Sequence, residues 1–171
     1  MKRKVDPFDY AGQICKAMPK GVLLTTALEG KVNTMTIGWG HIGIEWGRPI
    51  FVAYVRESRF TKEYLEKTGE FTVNIPLSEC DKNILACCGT KSGRDMDKIP
   101  HLGMDLEAPE TISVPGIRQL PLTLECKVIF RQDQPLGGIE QDVIQRYYSQ
   151  GDPHTAYYGQ ILNAYIIEDE A

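Results

Sequence analysis

GVLLTTALEGKVNTMTIGW, residues 21–39, decides the fold. Two runs of β-branched and aliphatic residues, 21–28 and 32–39, flank the short turn Glu29-Gly30-Lys31, which is a β-hairpin signal. Outward from this hairpin more strands follow. RPIFVAYV (48–55) is a continuous apolar run, the pattern of a strand buried on both faces. EFTVNIP (70–76) alternates Phe71, Val73 and Ile75 with Thr72 and Asn74, a half-buried strand. LPLTLECKVIFR (120–131) puts Leu122, Leu124, Cys126, Val128 and Phe130 on one face, and TAYYGQILNAYIIE (155–168) reads as a long closing strand. Between the first hairpin and residue 48, GWGHIGIEWG (38–47) carries four glycines and reads as a curved or mobile loop.

The helical patterns are short. Phe8, Ala11, Ile14, Cys15 and Met18 recur at helical spacing over 7–18, ended by Pro19 and Gly21. Ser58 is placed to cap a helix over 60–67, with Gly69 beyond its end and Glu63 four residues before Lys67. Ser78 with Asp81 resembles a capping box for a helix ending near Cys88, and 137–148 carries Ile139, Val143, Ile144 and Tyr147 on one side. Six or seven strands joined mostly by short turns, with short helices between, predict a mainly β, antiparallel barrel and not a doubly wound sheet.

With 171 residues and 42% hydrophobic content, one domain over 1–171 can bury a core without disulfide or metal staples. A net charge of −4 and the absence of a basic run beyond the first four residues argue against nucleic-acid binding. The apolar runs fall far short of the ~18–20 residues of a membrane span, and no signal-peptide pattern is present, so no membrane partner and a cytoplasmic location are expected. Five cysteines without a CxxC pair fit reduced thiols. Cys87 and Cys88, with Cys80 seven residues before Cys87, read either as a redox group or as small buried hydrophobes. His41, His101 and His154 lack any metal-ligand spacing, so no metal is expected. GxSxG, GxGxxG and the P-loop pattern are all missing.

Three polar clusters lie beside strand ends. Asn33-Thr34-Met35-Thr36 reads either as the ordinary polar face of a half-exposed strand or as a strand edge able to hold a planar heterocycle. Arg56-Glu57-Ser58-Arg59-Phe60-Thr61 joins a strand to a helix, where free N–H groups, two guanidinium groups and two hydroxyls suit a monophosphate; two solvated arginines beside a capped helix are the alternative. Thr90-Lys91-Ser92-Gly93-Arg94 is either a phosphate-wrapping loop or a flexible turn. His154 precedes the closing strand, and Trp39 and Trp46 bracket the glycine-rich stretch, either covering an aromatic ligand or anchoring the loop.

Together, GVLLTT (21–26), NTMTIGW (33–39), RESRFTKEYLEKTGEFTVNIP (56–76), CGTKSGRDMDKI (88–99) and HTAYYGQI (154–161) resemble the flavin reductase-like family with an FMN-binding split barrel, in particular its flavoredoxin branch. The resemblance spans Met18 to Ile167. It implies a Greek-key split β-barrel, a homodimer with one FMN per subunit near the dimer interface, and NAD(P)H as co-substrate. It places Asn33, Thr34, Met35 and Thr36 along the ring system and ribityl chain, Arg56, Ser58, Arg59 and Thr61 on the phosphate, Lys91, Ser92 and Gly93 closing over it, and His154 near the ring. Three positions depart from the family pattern: Gln160 stands where Glu is frequent, Ile99 where Phe is common, and Glu57 puts a carboxylate beside the expected phosphate.

The expected activity is a flavoprotein oxidoreductase passing electrons from NAD(P)H through FMN to a small-molecule or protein acceptor. Two alternatives stay open: an FMN electron carrier reduced by a protein partner, and a non-enzymatic small-molecule binding protein on the same barrel.

Overall fold

The computed structural model describes residues 1–169. Its elements are β1 (Lys2–Lys4), α1 (Ala11–Ala17), β2 (Val22–Leu28), β3 (Lys31–Ile37), β4 (Gly40–Glu45), β5 (Arg48–Arg56), α2 (Phe60–Thr68), β6 (Glu70–Ile75), α3 (Lys82–Thr90), α4 (Lys98–His101), β7 (Leu106–Glu107), β8 (Gly116–Ile117), β9 (Leu122–Asp133), α5 (Gln141–Tyr147) and β10 (His154–Ile167). Seven strands form a curled antiparallel sheet in the order β3-β2-β6-β9-β10-β5-β4, β1 adds to the far half of β10, and β7 and β8 make a separate small hairpin.

Two hairpins set the local register. Leu28 pairs with Lys31 across Glu29-Gly30, and Glu45 pairs with Arg48 across Trp46-Gly47. All four central residues have positive φ (49°, 79°, 51° and 68°), the geometry of a type I′ turn whose twist matches that of the strands it joins. The second hairpin corrects the reading of 38–47 as a loop. β4 is a strand there, and its glycines hid it because they carry no hydropathy alternation.

Alternation then fills the barrel. Val22 and Leu24, Met35 and Ile37, Phe71, Val73 and Ile75, and Leu122, Leu124 and Cys126 all point inward and meet Phe51, Tyr157 and Ile161. α2 runs from the end of β5 to the start of β6, and its Leu65 joins the same interior. α1 and the turn after it add Ile14 and Met18.

The outer face of β2, β6 and β9 is covered as well, which corrects the half-buried reading of 70–76. Leu23 packs against Ile84 and Cys88 of α3 and against Met104, Ile117 and Leu120. Thr25, Thr34, Thr72, Asn74, Thr123 and Glu125 are fully buried beside them, in part beneath the 110–116 segment. The Asn74 carboxamide spans three strands: its oxygen accepts from Thr25 (3.2 Å) and Thr72 (3.3 Å), and its Nδ2 donates to Thr123 (3.1 Å). The Glu125 carboxylate accepts from the backbone N–H groups of Glu110 and Thr111, both at 2.8 Å.

Other sequence expectations shift in detail. The region 137–148 forms a 3₁₀ turn and the shorter α5. Phe130 leaves the inward face and is exposed, beyond a register irregularity between β9 and β10. Cys80 precedes α3, so it does not share a helix face with Cys87. The connection from β6 to β9 is long and carries α3, α4 and the small hairpin. No helix among the described residues is long and apolar enough to cross a membrane.

Candidate functional site

The site lies where the sheet is split. β4 pairs with β5 only as far as Ala53, so Tyr54 and Arg56, two apart and on one face, run on along an open edge. The end of β3, from Met35, and the connection through Gly38 to Trp39 approach from the other side. His154 opens β10 directly opposite Arg56 in register. With Thr36 and Arg59 these residues line a cleft of about 140 Å³.

The strand-to-helix junction differs in detail from the expectation. Arg59, not Ser58, holds the N-cap position of α2, and no side chain caps it. Ser58 is occupied elsewhere: its N–H and hydroxyl donate to the Asp152 carboxylate at 2.9 and 2.7 Å. Glu57 turns away from the arginines, accepting from Thr155 at 2.9 Å and lying 3.5 Å from Lys62. Glu63 pairs with Arg94 and not with Lys67; the i,i+4 pair on this helix is Lys62–Glu66 at 3.0 Å.

Arg56 donates to the carbonyls of Asp152 (2.8 Å) and Tyr147 (3.0 Å), and its guanidinium lies over the rings of Tyr148 and Trp39. Arg59 donates to the carbonyl of Gly89 (3.1 Å), and Lys98 donates to that of Lys91 (3.0 Å). Lys98 is only 4% exposed, and burial pulls its pKa down. Among the described residues none of these three cations has a carboxylate within ion-pair distance.

The three polar segments converge in part. Asn33 donates to the Thr61 hydroxyl at 2.7 Å, joining β3 to α2. Gly93 packs so closely on Asn33 that an added Cβ would stand 2.1 Å from its Oδ1, so only glycine admits this approach. Arg94 reaches the carbonyl of Ser58 at 3.3 Å. Asn33, Phe60, Gly93 and Lys98 border a second space of about 420 Å³. Two expected residues stand apart. Thr34 faces the buried outer side, 2.9 Å from Thr25, and Lys91 is exposed with its backbone engaged, the N–H donating to the Cys87 carbonyl at 2.9 Å and the carbonyl accepting from Lys98. The Ser92 hydroxyl accepts from the Arg94 N–H at 3.2 Å.

Sequence reading missed Tyr54, Tyr148, Asp152 and Lys98. The period-2 face of β5 that carries Arg56 was the available signal for Tyr54; the others are set by tertiary placement. His154 is buried, its Nδ1 lies 2.8 Å from the Tyr148 hydroxyl, and its ring stands 4.9 Å from that of Trp39. Burial, reinforced by Arg56 and Arg59 and opposed by Asp152, brings its pKa down to about 4, so the ring is neutral at pH 7. Among the described residues no three His, Cys, Asp or Glu side chains gather as a metal-binding group.

Known proteins share this fold. An uncharacterized protein of Archaeoglobus fulgidus is 27% identical over 141 residues, covering 82% of this chain and 68% of that one. Flavoredoxin from Methanosarcina acetivorans superposes with a TM-score of 0.67 at 25% identity, covering 86% of this chain and 68% of its own. An FMN-binding domain of a flavin reductase-like enzyme from Shewanella baltica gives a TM-score of 0.67 at 16% identity over 97% of this chain and 77% of its own, a likeness of fold alone. The flavin reductase like domain matches residues 15–171. With that match over most of its length, and the antiparallel split barrel its neighbours share, the chain belongs to the flavin reductase-like domain family.

Proposed function

We propose that this protein binds FMN at the split between β3 and β5 and works as a flavin-dependent oxidoreductase, taking electrons from NAD(P)H and passing them to a small-molecule or protein acceptor. One observation carries the reading: Arg56 and Arg59 at this split, and Lys98 on the second space bordered by Asn33 and Gly93, have no carboxylate partner among the described residues, in a chain whose net charge is −4. A buried cation held only by carbonyls is under-compensated, and a bound phosphate completes it. The chemistry of the residues fits the group. Arg59, Lys98, Thr61 and the Gly93 backbone suit a phosphate and a polar chain, while Met35, Thr36, Trp39 and Tyr54 offer apolar and aromatic surface to a ring system.

FMN, when bound, supplies the hydride and electron chemistry. The protein binds, orients and shields. Its neutral His154, hydrogen-bonded through Nδ1 to the Tyr148 hydroxyl, keeps a constant charge across the physiological pH range. Arg56 fixes the 147–152 segment through two carbonyls, keeping Tyr148 beside the histidine.

The reading includes a homodimer. The cleft, at about 140 Å³, is below the roughly 300–1,000 Å³ of an enclosing ligand site, so a second copy completes it. Ile44, Trp46 and Phe130 are exposed beside the rings of Tyr158, an apolar surface suited to that copy. The five free cysteines fit a reducing compartment such as the cytoplasm.

The test is the visible spectrum of the purified protein after incubation with FMN and desalting, followed by anaerobic NADH and then NADPH. Retained flavin bands that bleach with either nucleotide are expected, and Arg59→Ala should weaken FMN retention by about tenfold or more. Bands that persist with both nucleotides point to a protein donor and remove the reductase activity. A protein that stays colourless sinks the flavin reading.

A further inference from the structure

Trp39 and Tyr54 wall the cleft on one side and, on the other, a separate cavity of about 410 Å³ that no step above uses. Its remaining walls are Tyr147, Tyr148, Ile139 and Val143, from α5 and its flanks. Four aromatic rings and two aliphatic side chains thus face one space, and Trp39 meets Tyr147 edge-on at 5.1 Å. Beyond the hydroxyls of the tyrosines, the polar lining is Gln134 and His41, the latter 3.3 Å from the Tyr54 hydroxyl. Among the described residues that line it there is no Lys, Arg, Asp or Glu.

The cover of this cavity is unusual. α5 buries none of its seven residues, although a helix on a globular protein ordinarily buries an apolar stripe. Its half-buried positions, Val143 and Ile144, include a wall of the cavity, and its C-terminal end is pinned by Arg56 through the carbonyl of Tyr147. α5 is therefore anchored at one end over an aromatic space that it only partly fills.

The charge pattern selects the occupant. Arg56 lies over Trp39 and Tyr148 and so repels a cation from these ring faces. Its N–H groups are directed to two carbonyls, which leaves no charged donor lining the cavity for an anion. Stacked and edge-on ring contacts favour a flat, conjugated ligand, and the volume lies within the roughly 300–1,000 Å³ range of small-molecule sites. We infer that the cavity between Trp39, Tyr54 and α5 is a binding site for a neutral, planar, conjugated ring compound, with the Gln134 amide as its polar contact.

A matched pair of probes tests this: 2-acetylnaphthalene, neutral, and 2-naphthoate, which has the same ring system and a negative charge. Each is titrated by equilibrium dialysis, and the indole N–H signals of Trp39 and Trp46 are followed by NMR. The neutral ketone is expected to bind about tenfold or more tightly than the carboxylate and to shift the Trp39 signal, leaving that of Trp46 in place. Val143→Trp fills the cavity from a position that is not buried, so it should fold and weaken ketone binding by about tenfold or more; Ile139→Trp is the second such variant. FMN retention, measured on the same samples, reads the cleft independently. No binding of the ketone, equal binding of the carboxylate, or unchanged binding in either folded variant overturns the assignment.

Discussion

Two polar regions of the molecule, the fully buried one beneath the 110–116 segment and the partly exposed one at the split, are finished differently. Beneath the 110–116 segment, Asn74 and Glu125 find their partners inside the chain: two hydroxyl donors and one hydroxyl acceptor for the amide, two backbone N–H groups and the Thr111 hydroxyl for the carboxylate. At the split and the space beside it, Arg56, Arg59 and Lys98 donate to carbonyls and, among the described residues, have no carboxylate within ion-pair distance. Only the first is electrostatically closed. A buried network whose members satisfy one another is structural. One left a charge short is arranged for something that arrives from outside.

The sharpest way to break that contrast is to open the closed region. Glu125→Ala leaves the N–H groups of Glu110 and Thr111 and the Thr111 hydroxyl without their acceptor. It should cost about 3 kcal/mol or more in urea unfolding, with FMN bound per folded molecule unchanged. A comparable loss of flavin would show the two regions to be coupled.

His154 probes the open region by pH. Its folded pKa of about 4 lies below the ordinary value of 6.5, so the unfolded chain takes up the proton first as pH falls. Stability contributed by the neutral ring is therefore present above pH 6.5 and lost between 6.5 and 4, by up to about 3 kcal/mol. The acid limb of the stability curve should flatten in His154→Gln. An NMR titration that finds His154 ionising near 6.5 would contradict its burial.

The smallest stability effect is expected at Lys98. Lys98→Met removes a buried cation without breaking an ion pair, so the unfolding free energy should change by less than about 1 kcal/mol in either direction, while FMN affinity falls by about tenfold. A large destabilisation with unchanged FMN binding would make Lys98 a structural residue like those around Asn74.

Much of the barrel is legible in the sequence because inward positions recur every second residue. The hairpin at 21–39 and the strand at 155–168 follow from that alternation and from turn chemistry. β4 is not legible, since glycine at 40 and 43 erases the alternation and a tryptophan with positive φ occupies its turn. At the site, the three polar segments were visible as local clusters, and Asn33, Thr61 and Gly93 do meet. The side on which Thr34 points was decided by the pleat, and Ser58 was claimed by Asp152, which lies 94 residues away. Lys98 carries no local mark of burial. Its environment is made by α3 and by the loop that precedes α4, which no short window of sequence contains.

The position of β10 sets the order in which the molecule can assemble. It lies between β9 on one side and β5 and β1 on the other, pairing Ile167 with Lys2 and His154 with Arg56. Nothing before residue 154 can complete the central ladder, so the sheet closes only after almost all of the described chain has left the ribosome. Until then β5 and β9 wait with unpaired edges and exposed apolar faces, and pairings of such long sequence separation form slowly. Shortened chains that end before β10 should for that reason remain in the insoluble fraction, however well their hairpins form.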